Sequence, residues 1–405
     1  MGKKKNQKNQ KGKDLPLDEK KEPQKDDSEH AKANRMQSFY VRTVTTILML
    51  VGFLVILGLG HLYSMMLVLM LMLLCFKELK ALKRKKELDK NIPYFNVINW
   101  YFFLTVVFFV LPLYLPNQTK VGITDPTLLE IFNYHKLISF LAFIFGILLF
   151  TWSLEKDTYK YQFKMLGWSL LILLIVVSQA CSLVYNMYKG LFWFIFPALC
   201  VVSNDIFAYI FGFFMGKTPL IKLSPKKTWE GFIGGAICTF IWAFIASLYL
   251  TEFESLACPQ TRITYEPSAF PSCNIGTVYI PKRFDLPVPI LGFDHFMIAP
   301  VQWHAAVIAL FSSLIAPFGG FFASGLKRAF NIKDFGTTIP GHGGITDRFD
   351  CQIMMSMFTF VYLHQVVFRL NPTVDGIMNS IYKLSPGEQT QILNELSLSL
   401  TGILA

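Results

Sequence analysis

The sequence predicts an all-α polytopic membrane protein of about nine transmembrane helices, on three observations: an excess of apolar residues, a scarcity of charge, and apolar runs long enough to span a bilayer. Of 405 residues, 53% are hydrophobic, 15% aromatic and only 16% charged, against roughly 45–50% apolar and about 25% charged in an average soluble domain. Lipid, not water, is the solvent that suits such a chain. A helix rises about 1.5 Å per residue and crosses about 30 Å of hydrocarbon with roughly 20 residues. The runs 43–60, 62–77, 98–115, 137–153, 165–186, 190–215, 231–251, 303–323 and 350–369 are the candidates, the shorter ones able to tilt or join. Only Gly60 and His61 separate the first two, which predicts a tight hairpin or one bent unit.

Residues 1–42 are rich in Lys, Gln, Asp and Glu, with almost no large apolar side chain before Phe39, so burial cannot offset chain entropy and a disordered basic arm is expected. No short apolar core of a cleavable signal follows Met1, so the first apolar run is expected to stay as an anchor. Asn6 stands where a myristoylation signal wants Ser or Thr, which argues against lipidation. The net charge of +11 (38 basic, 27 acidic) sits between apolar runs, and reads as topology and attraction to anionic lipid; no nucleic-acid partner is expected. The segments KELKALKRKK (77–86) and EKDTYKYQFK (155–164) mark the cytoplasmic side. Alternation then puts 1–42, 216–230 and 324–349 in the cytoplasm and 116–136 and 252–302 on the far side. An odd number of spans sends the tail 371–405 to the far side, unless 375–384 forms an extra membrane-associated element.

The seven cysteines show no CxxC pair and no Cys/His metal spacing, so zinc is not expected. Cys75, Cys181, Cys200 and Cys238 lie in apolar runs and read as buried, inert thiols. Cys258 and Cys273, in the far-side loop, either pair in an oxidising compartment or remain two free thiols.

Charge is concentrated in SGLKRAFNIKDFGTTIPGHGGITDRFD (324–350), between two apolar runs. Lys327, Arg328, Lys333 and Arg348 supply cations, Asp334, Asp347 and Asp350 supply carboxylates, and Gly341, Gly343 and Gly344 surround His342. Basic groups and freed backbone N–H groups suit phosphate, while clustered carboxylates suit Mg²⁺ completed by substrate phosphates and waters. Asp347 and Asp350, three apart, share one face if a helix begins near Ile345, and could hold one metal or bridge two. Asp347 could equally be a helix cap. In SNDIFAYIFG (203–212), Asn204 and Asp205 interrupt an otherwise apolar span. A carboxylate at helix centre costs roughly 2.5–3.5 kcal/mol on insertion scales, so Asp205 must face a polar cavity or an ion-pair partner. LSPKKTWEGFIGG (223–235) is a basic turn entering an apolar helix: Lys226 and Lys227 offer cations, Gly231, Gly234 and Gly235 allow close approach, and Glu230 sits at the membrane edge without an obvious partner.

These three blocks, in this order, resemble the phosphatidate cytidylyltransferase (CDP-diacylglycerol synthase) family, whose signature combines the serine, the Lys-Arg and Lys-Asp pairs, Pro-Gly-His-Gly-Gly and Asp-Arg-x-Asp. The resemblance is detailed over 190–370, and the hydrophilic arm, the 252–302 loop and the polar tail are similar to the eukaryotic branch. It implies transfer of CMP from CTP to phosphatidate with Mg²⁺, alone or with a monovalent cation, in the endoplasmic reticulum membrane, with the site on the cytoplasmic face. It divides the chain into the arm 1–42, an N-terminal transmembrane region 43–186, a catalytic transmembrane region 187–370 with lumenal loop 252–302, and the tail 371–405.

On this resemblance Asp205, Asp347 and Asp350 are expected at the metal, and Lys327, Arg328, Lys333 and Arg348 at phosphate charge. Asp334 would bind metal or orient Lys333, and His342 would donate to a phosphate or serve the turn. Asn204, Lys226, Lys227, Ser324, Gly343 and Gly344 are expected to hold substrate. One position departs from the pattern: bacterial relatives carry an aspartate where this chain has Gly320, so Asp205, Asp334 or a water must replace that ligand. Pro317, Gly319 and Gly320 are expected to break the helix there. Small-xxx-small faces leave room for a homodimer. A transporter coordinating a travelling ion is the alternative from another class, against which stand the cations beside the aspartates. The aspartate pattern of the CDP-alcohol phosphotransferases is not found.

Overall fold

In hydrocarbon a backbone satisfies its polar groups only by coiling into helices or closing into a barrel, and this chain coils. The computed structural model describes residues 25–82, 92, 94–114, 126–221, 223–260, 266–270, 272–273, 275–290, 293–368, 374–382 and 384–403. Among the described residues, eight helices are long and apolar enough to cross a membrane. They lie in α1 (Lys25–Leu59), α2 (His61–Ala81), α3 (Phe95–Tyr114), α5 (His135–Trp152), α6 (Tyr159–Tyr188), α7 (Leu191–Met215), α8 (Trp229–Leu250) and the pair α10 (Pro300–Leu314) and α11 (Pro317–Ala329). A short α4 (Pro126–Asn133) precedes α5, and α9 (Glu254–Ala257) follows α8.

The ninth predicted run forms α12 (Thr346–Tyr362), of 17 residues, continued by a π turn at Leu363–Val367. It opens with charge and, at 17 residues, is not among those eight. Two further helices close the chain, α13 (Val374–Ile381) and α14 (Pro386–Ile403). Among the described residues the strands form two hairpins, β1 (Pro219–Ile221) with β2 (Ser224–Thr228), and β3 (Lys282–Ile290) with β4 (Phe293–Ile298).

Two expectations change. Residues 25–42 are helical and continuous with the first span, whereas the sequence predicts a disordered arm over 1–42; residues 1–24 lie outside the described part. The cause is cooperative: an anchored span provides the nucleus, and each added residue then gains a hydrogen bond at little further cost. Likewise, Glu78 and Lys80 are not in an aqueous loop but are buried in the last turns of α2. Gly60, at φ 111°, makes the predicted tight turn between α1 and α2.

Two cores hold the helices. The first gathers Phe76, Phe102, Phe103, Ile172, Val184 and Met187 from α2, α3 and α6, and reaches Phe335 and Ile345 in the charged segment. The second joins α7, α8, α10 and α12 through Phe196, Cys200, Ala243, Ile308 and Met355. Contact between α7 and α8 is close because a side chain at Gly231 or Gly235 would strike the Ala208 carbonyl oxygen at 2.6 Å or the Ala208 Cβ at 3.0 Å, the small-residue mode of packing in membranes.

The bundle has two distinct ends. At one, His342 meets Thr45 and Thr46 of α1. At the other, the loop after α8 docks on helix turns: Ser268 N–H donates to the Leu59 carbonyl (2.9 Å) and Gln260 N–H to the Tyr188 carbonyl (2.9 Å). Cys258 and Cys273 form a disulfide in that loop, across a separation of 15 residues, while Cys75, Cys181, Cys200, Cys238 and Cys351 are free. Alkylation of the denatured chain followed by mass spectrometry is therefore expected to modify five of the seven cysteines before reduction and all seven after it. Seven modified thiols without reductant would rule out the disulfide.

Candidate functional site

The break between α10 and α11 starts the site. Ile315 and Ala316 both donate their N–H to the Phe311 carbonyl at 3.0 Å, and Pro317, which has no N–H to give, opens α11. Pro317 and Phe321 thereby become one wall of a cleft of about 530 Å³. Its other walls are Asn204, Asp205, Ala208 and Gly212 on α7, Ser224 and Lys227 on β2, and Gly231 on α8.

The hairpin that carries Lys227 is latched by Glu230. Its carboxylate accepts the backbone N–H groups of Lys217 (3.1 Å) and Thr218 (3.2 Å) and the Thr218 hydroxyl (2.7 Å). Thr228 caps α8 by accepting from Gly231 N–H at 3.2 Å. Glu230 thus has a structural partner that the sequence did not reveal. Lys227 Nζ lies 5.0 Å from the centre of the Phe321 ring, and its charge acts on both Asp205 and Asp350. The side chain of Lys226 lies outside the described part.

Asp350, near the start of α12, lies in the electrostatic field of Asp205 and Lys227 of this cleft. Its Oδ1 accepts from Cys351 N–H at 2.7 Å, its other oxygen faces Gly320, and the charges of Lys327 and Lys227 act on it. A β-carbon at position 320 would lie 3.5 Å from Asp350 Oδ2, so the position where the family pattern has a further aspartate directly adjoins Asp350. Of the side chains able to substitute, Asp205 shares the field of Asp350, whereas Asp334 is exposed and packs against Gly343. Asn204 is buried, and its side-chain oxygen has no hydrogen-bond partner among the described residues. Asp205 and Asn204 thus bring side-chain oxygens to the cleft, a donor type that suits a hard divalent cation.

Asp347 lies in the first turn of α12, which begins at Thr346 as the i, i+3 reading required. Its Oδ1 accepts from Lys327 Nζ at 2.8 Å, and its Oδ2 from the N–H groups of Phe335 (2.9 Å) and Gly344 (3.1 Å). The side chains of this ion pair are only 17% and 6% exposed. Among the described residues no three His, Cys, Asp or Glu side chains gather as a metal cluster. Of the expected trio, Asp205 lines the cleft, Asp350 lies within its field, and Asp347 accepts from Lys327 and the loop amides.

That loop is a cage of short hydrogen bonds. Gly341 and Gly343 adopt φ values of 76° and 83°, which only glycine takes freely, and Ile339 N–H donates to the Gly343 carbonyl at 2.9 Å. Arg348 donates to the His342 carbonyl at 2.8 Å. The His342 ring bridges Thr45 and Thr46 at 3.1 Å each, tying α1 to the loop. Arg328 and Lys333 are exposed, and Ser324 is half-buried one turn before Lys327 on α11. Sequence reasoning missed Thr45, Thr46, Thr338 and Glu78. For Glu78 a signal existed: an acid in the last turn of a span, at the end of a helix whose dipole disfavours it.

With the geometry in place, likeness to known proteins is informative. Residues 40–366 match the cytidylyltransferase family. The chain is 43% identical over 368 residues to phosphatidate cytidylyltransferase 1 of Arabidopsis thaliana, covering 89% of this chain and 87% of that one. It is 39% identical over 376 residues to phosphatidate cytidylyltransferase 2 of Bos taurus, covering 91% and 83%, and 38% identical over 371 residues to phosphatidate cytidylyltransferase 2 of Homo sapiens, covering 90% and 82%.

The Lys327–Asp347 pair yields a stability prediction. Lys327→Met leaves Asp347 buried without its cation and is expected to destabilise the fold by about 3–5 kcal/mol, read as a lowered unfolding midpoint in detergent. Lys327→Met with Asp347→Asn should recover much of that loss, and equal midpoints for wild type and Lys327→Met would contradict the pairing.

Proposed function

The chain belongs to the phosphatidate cytidylyltransferase family of nucleotidyltransferases, and from that premise we propose that it transfers CMP from CTP to phosphatidate with Mg²⁺, giving CDP-diacylglycerol and pyrophosphate for phospholipid biosynthesis. The observation that carries this reading is the cleft itself: Asp205 and Lys227 line it beside apolar side chains, and the charge of Lys227 acts on both Asp205 and Asp350. Such a place accepts an anion, a divalent cation and a lipid together.

Asp205 and Asp350 would hold Mg²⁺, with the unpartnered oxygen of Asn204 at hand; when bound, the ion supplies charge to neutralise phosphate oxygens. Phosphatidate is a phosphate monoester with a second pKa near 6, already largely dianionic at neutral pH, so no strong base is needed. One of its oxygens attacks the α-phosphorus of CTP, the bond to the bridging oxygen of the β-phosphate breaks, and pyrophosphate departs with the electron pair. Lys227 and Lys327 counter the charge that accumulates, and the exposed Arg328 and Lys333 extend the basic field toward solvent. Asp347 keeps Lys327 and the glycine-rich loop in register.

Sidedness supports an endoplasmic reticulum placement with the site facing the cytoplasm. The disulfide loop docks at the end of the bundle opposite the His342 loop, disulfides persist in an oxidising lumen, and CTP is water-soluble.

Purified protein in detergent, given labelled CTP and phosphatidate with and without Mg²⁺, is expected to make CDP-lipid only with the metal. Asp205→Asn and Asp350→Asn should each lower kcat on the order of 100-fold or more. No CDP-lipid from wild type across several lipid and detergent conditions would sink the assignment. Full activity in both variants would remove their metal roles and leave the reaction standing.

A further inference from the structure

We infer that Glu78, on the first transmembrane hairpin, is a positioning residue that caps α12 from a distance and thereby fixes where Asp347 and Asp350 stand. The inference rests on the proposed reaction for its functional consequence and on geometry for the contact itself. A helix begins with four N–H groups that lack partners within the helix. α12 solves this unusually: its own cap residue is Ile345, in helical conformation, with no side-chain cap. The missing acceptor comes from α2.

Glu78 Oε1 accepts from Ile345 N–H at 3.0 Å and from the Thr338 hydroxyl at 2.5 Å, and Oε2 accepts from Thr346 N–H at 2.9 Å. The residue is 8% exposed. The loop closes over the carboxylate through glycines, because a β-carbon at Gly336 would lie 2.7 Å from Oε1 and one at Gly344 2.8 Å from Oε2. The next link is direct: Gly344 N–H also donates to Asp347, and Asp350 follows one turn later.

Electrostatics agree with this assignment. A carboxylate near the C-terminus of its own helix is disfavoured by that helix's dipole, and the same charge at the N-terminus of another is favoured. Glu78 stands in the last turn of α2 and against the first turn of α12, so its partner across the fold, not its own helix, makes the position favourable. It does not line the cleft; its effect passes through the backbone of 344–346.

The test compares Glu78→Gln, which keeps size but loses charge and acceptor capacity, with Phe76→Leu, a core change on the same helix that leaves the loop untouched. The expected result is a fall of about 10–100-fold in kcat and a rise of similar order in the Mg²⁺ concentration for half-maximal activity, with the KM for phosphatidate little changed. Hydrogen exchange should accelerate at the amides of 336–346 in Glu78→Gln. Phe76→Leu, at matched thermal stability, should show none of these. Thr338→Val, which removes one bond of three, should move the same quantities less, and serves if Glu78→Gln does not fold. The proposal is overturned if Glu78→Gln behaves as Phe76→Leu in kinetics and exchange. If wild type makes no CDP-lipid, the reaction assignment fails, while the exchange comparison still decides whether Glu78 holds the loop.

Discussion

Everything at this site depends on one constraint: a charged side chain within a membrane bundle must find its counter-charge or its hydrogen-bond donors inside the protein. At helix centre an unpaired Asp, Lys or Arg costs roughly 2.5–3.5 kcal/mol even on lenient scales, so the charges here are placed in sets. Lys327 and Asp347 close on each other, Glu78 closes on three donors, and Glu230 closes on the start of the β1–β2 hairpin. Asp205 and Lys227 line the cleft, where a ligand can use them.

The same constraint explains where the backbone breaks. An interrupted helix exposes polar groups, which membranes tolerate only where protein or a cavity receives them. The α10–α11 break is received by the Phe311 carbonyl and by the cleft that Pro317 lines. Across from it, Gly231 and Gly235 draw α8 against α7, so the face bearing Asp205 is held by helix contact, while the hairpin bearing Lys227 runs directly into α8 and is latched by Glu230. Rigid placement of this kind suits phosphoryl chemistry, where the protein's contribution is positioning and charge.

Much of this was legible along the chain. Each long apolar run became a helix, since lipid leaves such a run no other option, and the intramembrane Asp205 announced a polar cavity because its insertion needs one. The break before Pro317 was legible for the same local reason, although Gly319 and Gly320, also expected to break the helix, lie inside α11. Other features were hidden. The spacing of Asp347 and Asp350 does not reveal that Asp347 accepts from Lys327 and from the amides of Phe335 and Gly344. Residues 25–42 are polar enough to look unfolded, yet they continue a helix that the membrane anchors.

By itself, therefore, the sequence determined the solvent, the helical class, the charged segments and the resemblance that suggests the reaction, because hydropathy, spacing and signature residues are properties of neighbours along the chain. Only the tertiary structure decided that Asp347 pairs with Lys327, that Glu230 serves a hairpin, and that Glu78 caps a helix more than 260 residues away. Those outcomes depend on which donors packing brings within about 3 Å of an oxygen, a distance that no local pattern encodes.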